Sequence, residues 1–228
     1  MAESIHQGHR KRMRERFLKT ELNGFHAHEV LELLLFYGVP RVDTNPLAHA
    51  LLERFGSLHG VLSAPPEQLR QVKGMTDSAA CQIALMRAVY AYDAAEQSCG
   101  VAMESFSAIC DYFTDIYRFE NREVVRAAYL DRRLRLISCE VIGEGDPSAS
   151  AFSVRSLIEH ACAAGSNVVI LAHNHPQGSA APSGTDIAVT RQLAETLAKS
   201  GISLADHVIA GSGETVSLRS LGVFMGLD

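Results

Sequence analysis

Leu171-Ala-His173-Asn-His175-Pro-Gln-Gly-Ser-Ala-Ala-Pro-Ser183-Gly-Thr-Asp186 decides how the second half of this chain is read. The run leading into it, Asn167-Val-Val-Ile-Leu-Ala172, is β-branched and apolar and is bounded by a Gly and a Pro-Gln-Gly turn, which predicts a buried strand. Residues two apart on a strand point to the same side, so His173 and His175 at its end can converge on one ion. Asp186, in the first turn of the next predicted helix, can close the site. Two imidazoles and one carboxylate leave a fourth tetrahedral position for water. That is the pattern of a catalytic zinc, one Zn2+ per chain, rather than a structural one.

Each piece also has an ordinary reading. A His-x-His pair is weak by itself, and the chain carries another, His26-x-His28, ahead of the apolar run Glu29 to Tyr37. There the two residues are expected to face away from each other, and no later acidic pattern completes a site. Ser183-x-x-Asp186 has the form of a helix capping box, with Asp where Glu or Gln is usual. A carboxylate oxygen folded back on the N-cap amide cannot also hold a metal, so capping competes with ligation for Asp186. Ser183 by itself reads as an N-cap.

A zinc hydrolase also needs a base, because the metal lowers the pKa of water and a neighbouring group takes the proton and returns it to the leaving group. Glu140 is the candidate. It lies in Leu134-Arg-Leu-Ile-Ser-Cys-Glu140-Val-Ile142, which follows Glu123-Val-Val-Arg-Ala-Ala-Tyr-Leu130 across an Asp-Arg-Arg turn, and the two runs predict an antiparallel hairpin. Glu144, in the following loop, is the alternative base. The ordinary reading of Glu140 is a solvent-facing strand carboxylate.

Composition narrows the setting. With 228 residues, 47% of them hydrophobic, the chain can bury one large or two small cores. No apolar run approaches the length of a membrane helix, and Met1-Ala-Glu-Ser-Ile-His lacks the apolar core of a secretory signal, so a cytoplasmic protein with no membrane partner is expected. The five cysteines are scattered and never form a Cys-x-x-Cys pair, which argues against a disulfide framework or a thiolate zinc site. The pattern is helical from Ile5 to about Tyr92 and changes after Ala95-Glu-Gln-Ser-Cys-Gly100, predicting one domain over residues 1–98 and another over 103–228. In the second, helices open at Ser105, Ser153 and Ser183, and Gly165 and Gly201 stop the latter two. They alternate with the hairpin, the His-bearing strand, and strands around Leu204 to Ala210 and Glu214 to Leu218. The fold class is therefore α/β (α+β), a helical module followed by a mixed sheet covered by helices.

The helical part carries a different signal. Residues 9 to 19 gather Arg10, Lys11, Arg12, Arg14, Arg16 and Lys19 against Glu15, a stripe that suits phosphate backbones. Residues 1–100 nevertheless hold 11 Lys+Arg and 11 Asp+Glu, so the net charge of −5 comes from the 10 against 15 in the remainder. This is not a strongly basic chain, and any DNA contact would be local and salt-sensitive. Leu58-His-Gly60-Val-Leu and Leu69-Arg-Gln-Val-Lys-Gly74-Met-Thr-Asp-Ser-Ala79 look like parts of a helix-hairpin-helix module, whose Gly74 turn would offer N–H groups to phosphate. Thr76 stands where such a hairpin favours a second Gly, and a Thr does not readily take a positive φ. A packing module or protein-docking surface is the competing reading.

The spacing His-x-His-x7-Ser-x-x-Asp resembles the signature of the JAB/MPN metallopeptidases, or JAMM proteins. Within them, His173-Asn174-His175-Pro176, Gly178, Pro182-Ser183, Asp186-Ile187-Ala188, Asp206-His207 and Ser217-Leu218 are similar to the bacterial RadC family. The resemblance covers nearly the whole chain and implies a helix-hairpin-helix-like N-terminal domain before a JAB/MPN domain. It implies zinc at His173, His175 and Asp186, with Glu140 as base, since a Glu five residues before a Gly matches Glu140 and Gly145. It implies Ser183 as an aid to oxyanion stabilisation, amide hydrolysis in a peptide or isopeptide, and an association with DNA repair. Gln177 departs from the family's Ser, and Gly145-Asp146 stands where Gly-Thr is usual; neither change removes a ligand. Arg155 matches a family Arg expected at the same cleft. Two other functions fit these residues: a non-catalytic DNA-associated or protein-docking factor with a structural metal, and a metal-dependent nuclease.

Overall fold

Polar caps, prolines and glycines cut the first part of the chain into α1 (Glu3–Thr20), α2 (Ala27–Gly38), α3 (Asn45–Phe55), α4 (Leu58–Ser63), α5 (Pro66–Leu69) and α6 (Asp77–Ser98). The computed structural model describes residues 3–145, 152–176 and 178–226, and the chain divides into two units, Met1–Tyr90 and Ala91–Asp228. Gln177 and Asp146, two of the departures noted above, lie outside the described residues.

In the first unit Leu31, Leu35, Leu51, Val61, Leu69 and Ile83 form one buried core. A Cβ on Gly38 would stand 2.5 Å from the Ala79 Cα, so α2 and α6 approach at a distance only glycine permits. Thr76 sits at the same place. Its hydroxyl donates to the Gly38 carbonyl at 2.8 Å and accepts from the Ala79 N–H at 3.0 Å. Thr76 thus caps α6 and is not among the residues with positive φ; the conformational objection to Thr at this turn does not arise. The buried Glu32 carboxylate joins three helices through His9 Nε2 (2.8 Å) and Asn45 Nδ2 (3.2 Å). His26 and His28 do not face apart as expected. Their rings stack 5.8 Å apart, and His28 stacks in turn on His49 at 4.7 Å. The reason is that α2 starts at Ala27, so His26 is its extended N-cap while His28 already turns with the helix.

The second unit is built on a five-stranded sheet in the order β2-β1-β3-β4-β5. Its strands are β1 (Val124–Leu130), β2 (Leu136–Glu144), β3 (Val168–Asn174), β4 (Ser203–Ala210) and β5 (Thr215–Ser217). Only β3 and β4 pair in parallel; the other neighbours are antiparallel. The helices are α7 (Phe106–Ile116), α8 (Val154–Ala164) and α9 (Gly184–Lys199), capped by Ser105, Ser153 and Ser183 as the sequence predicts. Alternate residues of the central strands feed two cores. Val125, Ala127, Val169 and Leu171 pack under α8 and α9, while Ala128, Leu130, Ile170 and Ala172 pack under α7. Both faces of β3 are covered, which is why its sequence is apolar from Val168 to Ala172. Ahead of the sheet, the segment around Ala102 pairs with Arg135, with Gly100 and Met103 donating to the carbonyls of Leu136 and Leu134. These bonds tie the residues that follow α6 to β2, within the second unit.

Candidate metal centre

The C-terminal end of β3 meets the N-terminus of α9 on the α8/α9 side of the sheet. Here His173 Nε2 stands 3.1 Å from His175 Nε2 and 3.4 Å from Asp186 Oδ1, with His173 and Asp186 each 1% exposed. Among the described residues, these three form the single group of His, Cys, Asp or Glu side chains positioned to hold a metal. The capping role of Asp186 occupies one of its two carboxylate oxygens. Asp186 Oδ2 accepts the Ser183 N–H at 2.7 Å while Ser183 Oγ accepts the Asp186 N–H at 3.1 Å, a complete capping box. Oδ1 is left buried with no hydrogen-bond partner, facing the imidazoles.

The ring nitrogens can be assigned from their partners. Thr190 Oγ1 donates to the Asp186 carbonyl at 2.6 Å, so it must accept from His207 Nδ1 at 2.5 Å. His207 Nε2 is then an acceptor for His173 Nδ1–H at 2.9 Å. His175 Nδ1 donates to the Ser179 carbonyl at 2.8 Å. Both Nε2 atoms are therefore lone-pair acceptors, and with Asp186 Oδ1 they bring three acceptors together without a proton between them. Such an arrangement could hold a cation. Electrostatics agree. Burial holds His173 down to about 4, outweighing the opposing pull of Asp186, with His175 adding to the fall. Burial and then the neighbouring His173 push His207 well below the ordinary imidazole value, so both rings are neutral.

His207 is itself fixed through the preceding residue. Asp206 Oδ1 accepts the backbone N–H of His207 (2.7 Å) and of Arg219 (3.0 Å), and Oδ2 accepts the Ser217 hydroxyl at 2.6 Å. Asn174 holds the strand end, accepting the Val124 N–H and donating to the Arg122 carbonyl, both at 2.9 Å. The sequence reading gave no role to His207, Thr190, Asn174 or Ser179. Asp206-His207 was visible as a family word, and the local signal for Thr190 was its place one helical turn after Asp186.

The other nominated residues lie elsewhere. Glu140 pairs in register with Ala127, which pairs with Leu171, while His173 pairs with Val125. Glu140 therefore shares the sheet face of the triad but stands two strands across and two residues back, roughly 12 Å away along the backbone grid. Its carboxylate meets His160 Nδ1 at 3.3 Å and is 46% exposed. Glu144 pairs with Arg122 at 3.2 Å, and Arg155 is engaged with Glu159 at 2.9 Å along the surface of α8. In the first unit Arg10 turns inward, donating to the carbonyls of Phe36 in the last turn of α2 and of Val39 and Val42 beyond it. Lys11, Arg12 and Arg14 are exposed, Lys11 lying 3.9 Å from Glu15. Gly74 has φ +94° in the turn before α6.

Two family models match. One described as RadC-like JAB domain covers residues 103–223, and one described as UPF0758 N-terminal covers residues 6–81. No helix among the described residues is long and apolar enough to cross a membrane.

Proposed function

The chain belongs to the RadC-like JAB domain family, and on that premise we propose that its second unit is a zinc-dependent hydrolase of amide bonds, acting on a peptide or isopeptide. The carrying observation is the buried, unpartnered Asp186 Oδ1 facing two imidazole nitrogens that have no proton to offer it. Ligand atoms about 2.05 Å from a tetrahedral zinc stand about 3.3 Å apart, which the separations of 3.1 and 3.4 Å match. Zinc held by His173, His175 and Asp186 would supply Lewis-acid polarisation of a carbonyl and a water of lowered pKa. Glu140 is the group for proton transfer, being the carboxylate on the same sheet face, and it would act through water on turning from His160. Ser183 uses a lone pair for the cap, which leaves its hydroxyl proton for the developing oxyanion. Any DNA contact, and with it a role in DNA repair, would run through Lys11, Arg12, Arg14 and the Gly74 turn.

One observation favours a second reading, a non-catalytic factor with a structural metal: Glu140 is paired with His160 and not with the triad. Elemental analysis of wild type, the His173→Ala/His175→Ala double variant and Glu140→Gln, combined with amide-substrate screening, separates the readings. About one zinc per chain, lost in the double variant and kept in Glu140→Gln while hydrolysis disappears, is expected for the hydrolase. Zinc kept and function unaltered by Glu140→Gln would support the structural metal. Absence of stoichiometric metal after zinc is offered would remove both.

A further inference from the structure

Nothing in the motif explains what holds His175, which lies just beyond the end of β3 on a loop. Its N–H donates to the Ala210 carbonyl at 2.7 Å, and its ring orientation depends on the Ser179 carbonyl at 2.8 Å. That carbonyl belongs to a loop gripped from outside by the turn joining β4 to β5. Glu214 Oε1 accepts both the Ser179 hydroxyl (2.8 Å) and the Ala180 N–H (3.1 Å). Ser212 N donates to the Gly178 carbonyl at 2.8 Å, and Ala180 is buried in the sheet core. The two backbones are in near contact. A Cβ on Gly211 would fall 2.3 Å from Ala180 N and 2.7 Å from the Ser179 carbonyl carbon.

We propose that Glu214 is a positioning residue for the metal ligand His175, acting through Ser179 and Ala180 from the exposed turn between β4 and β5. The inference rests on the metal-centre reading above and adds to it a control point that lies outside the ligand set. The chain of action is short. Glu214 fixes the Ser179–Ala180 peptide, the Ser179 carbonyl holds the His175 Nδ1 proton, and the Nε2 lone pair is thereby aimed at Asp186 Oδ1 and His173 Nε2. The carboxyl is held below the usual carboxylate range by the Ser179 hydroxyl and then the Ala180 N–H, so it is an acceptor at neutral pH. Both contacts fall on one oxygen, which a glutamine amide oxygen can reproduce without charge.

The test uses the full chain, with zinc affinity measured by chelator competition and ligand geometry read from the visible absorption of the cobalt-substituted protein. Glu214→Ala is expected to bind zinc 10- to 100-fold more weakly, the range for loss of a group that orients a ligand, with a changed cobalt spectrum. Glu214→Gln is expected to restore both. Gly211→Ala should weaken binding by the independent route of displacing the loop. Melting of the metal-free forms checks that each variant is folded. Wild-type affinity and spectrum in Glu214→Ala would overturn the positioning role while leaving the metal centre standing. A wild-type chain that takes up neither zinc nor cobalt would overturn the metal centre, and this role with it.

Discussion

Acidification should destabilise the metal-free second unit through His173. An imidazole in an unfolded chain takes up its proton near pH 6.5, whereas burial holds folded His173 to about 4. The folded value is the lower one, so this contribution to stability is fully present above pH 6.5. It is lost as the pH falls from there toward 4, because over that window only the unfolded chain gains the proton. At about 1.4 kcal/mol per unit, the interval from 6.5 to about 4 corresponds to roughly 3 kcal/mol in all, and to roughly 2 kcal/mol between pH 7 and pH 5. His207 is shifted in the same direction by burial and by His173, so it adds to the loss. Urea unfolding of metal-stripped wild type and His173→Gln at the two pH values isolates the effect, since glutamine is polar but does not titrate. The variant should lose roughly 2 kcal/mol less than wild type on going from pH 7 to pH 5. Equal losses would refute a buried neutral His173 and the proton assignment built on it.

Four further outcomes are expected. His207→Ala removes the acceptor that fixes the His173 tautomer and should weaken zinc binding 10- to 100-fold in chelator competition; undiminished affinity would contradict the relay through Thr190. Gly38→Ala forces a Cβ to within 2.5 Å of the Ala79 Cα, and overpacking there should lower the stability of the first unit by roughly 1–3 kcal/mol in urea titrations. If the first unit binds duplex DNA, Arg12→Ala/Arg14→Ala should reduce the slope of log affinity against log salt by about 2. Arg10→Ala should instead lower thermal stability, because its guanidinium closes carbonyls within the unit.

What could be read in advance follows the range of the physics involved. The Ser and Gly punctuation of α7, α8 and α9 acts over a few residues, and those helices lie where the sequence predicts. The two-residue period of a strand likewise brings His173 and His175 to one side, but His175 falls one residue past β3 and its ring is oriented by the Ser179 carbonyl, which no local pattern encodes. The division of labour within Asp186 was not legible, because which oxygen caps and which faces inward depends on where α9 lies over β3. His207 reaches His173 across a parallel strand pair whose register, Leu171 against His207, no local pattern encodes. Arg10 was read by charge alone, and its three carbonyl acceptors come from residues 26 to 32 positions later. The stacking of His26 on His28 was not legible either, because α2 starts at Ala27, two residues before the apolar run, which leaves His26 extended as the cap and His28 in the first turn.

The packing of three acceptors around one point has a consequence for stability that runs opposite to the usual cost of altering a buried residue. Asp186 Oδ1, His173 Nε2 and His175 Nε2 offer one another no proton, so the metal-free fold carries a buried carboxylate oxygen without a hydrogen-bond partner. Asp186→Asn changes little in volume. Its amide oxygen can take over the Ser183 N–H and preserve the cap, while the NH2 group then points at His173 Nε2 and converts a meeting of acceptors into a hydrogen bond. The metal-free variant should therefore be more stable than metal-free wild type by on the order of 1–3 kcal/mol, the cost of leaving a buried polar group unpaired. The same variant should bind zinc far more weakly, because an amide nitrogen donates where a ligand is required. Urea unfolding with and without zinc would reveal a crossing, with the variant more stable when stripped and wild type more stable when loaded. If the stripped variant proves the less stable of the two, Asp186 Oδ1 is satisfied without metal, and the strongest reason for assigning a cation to this site is gone.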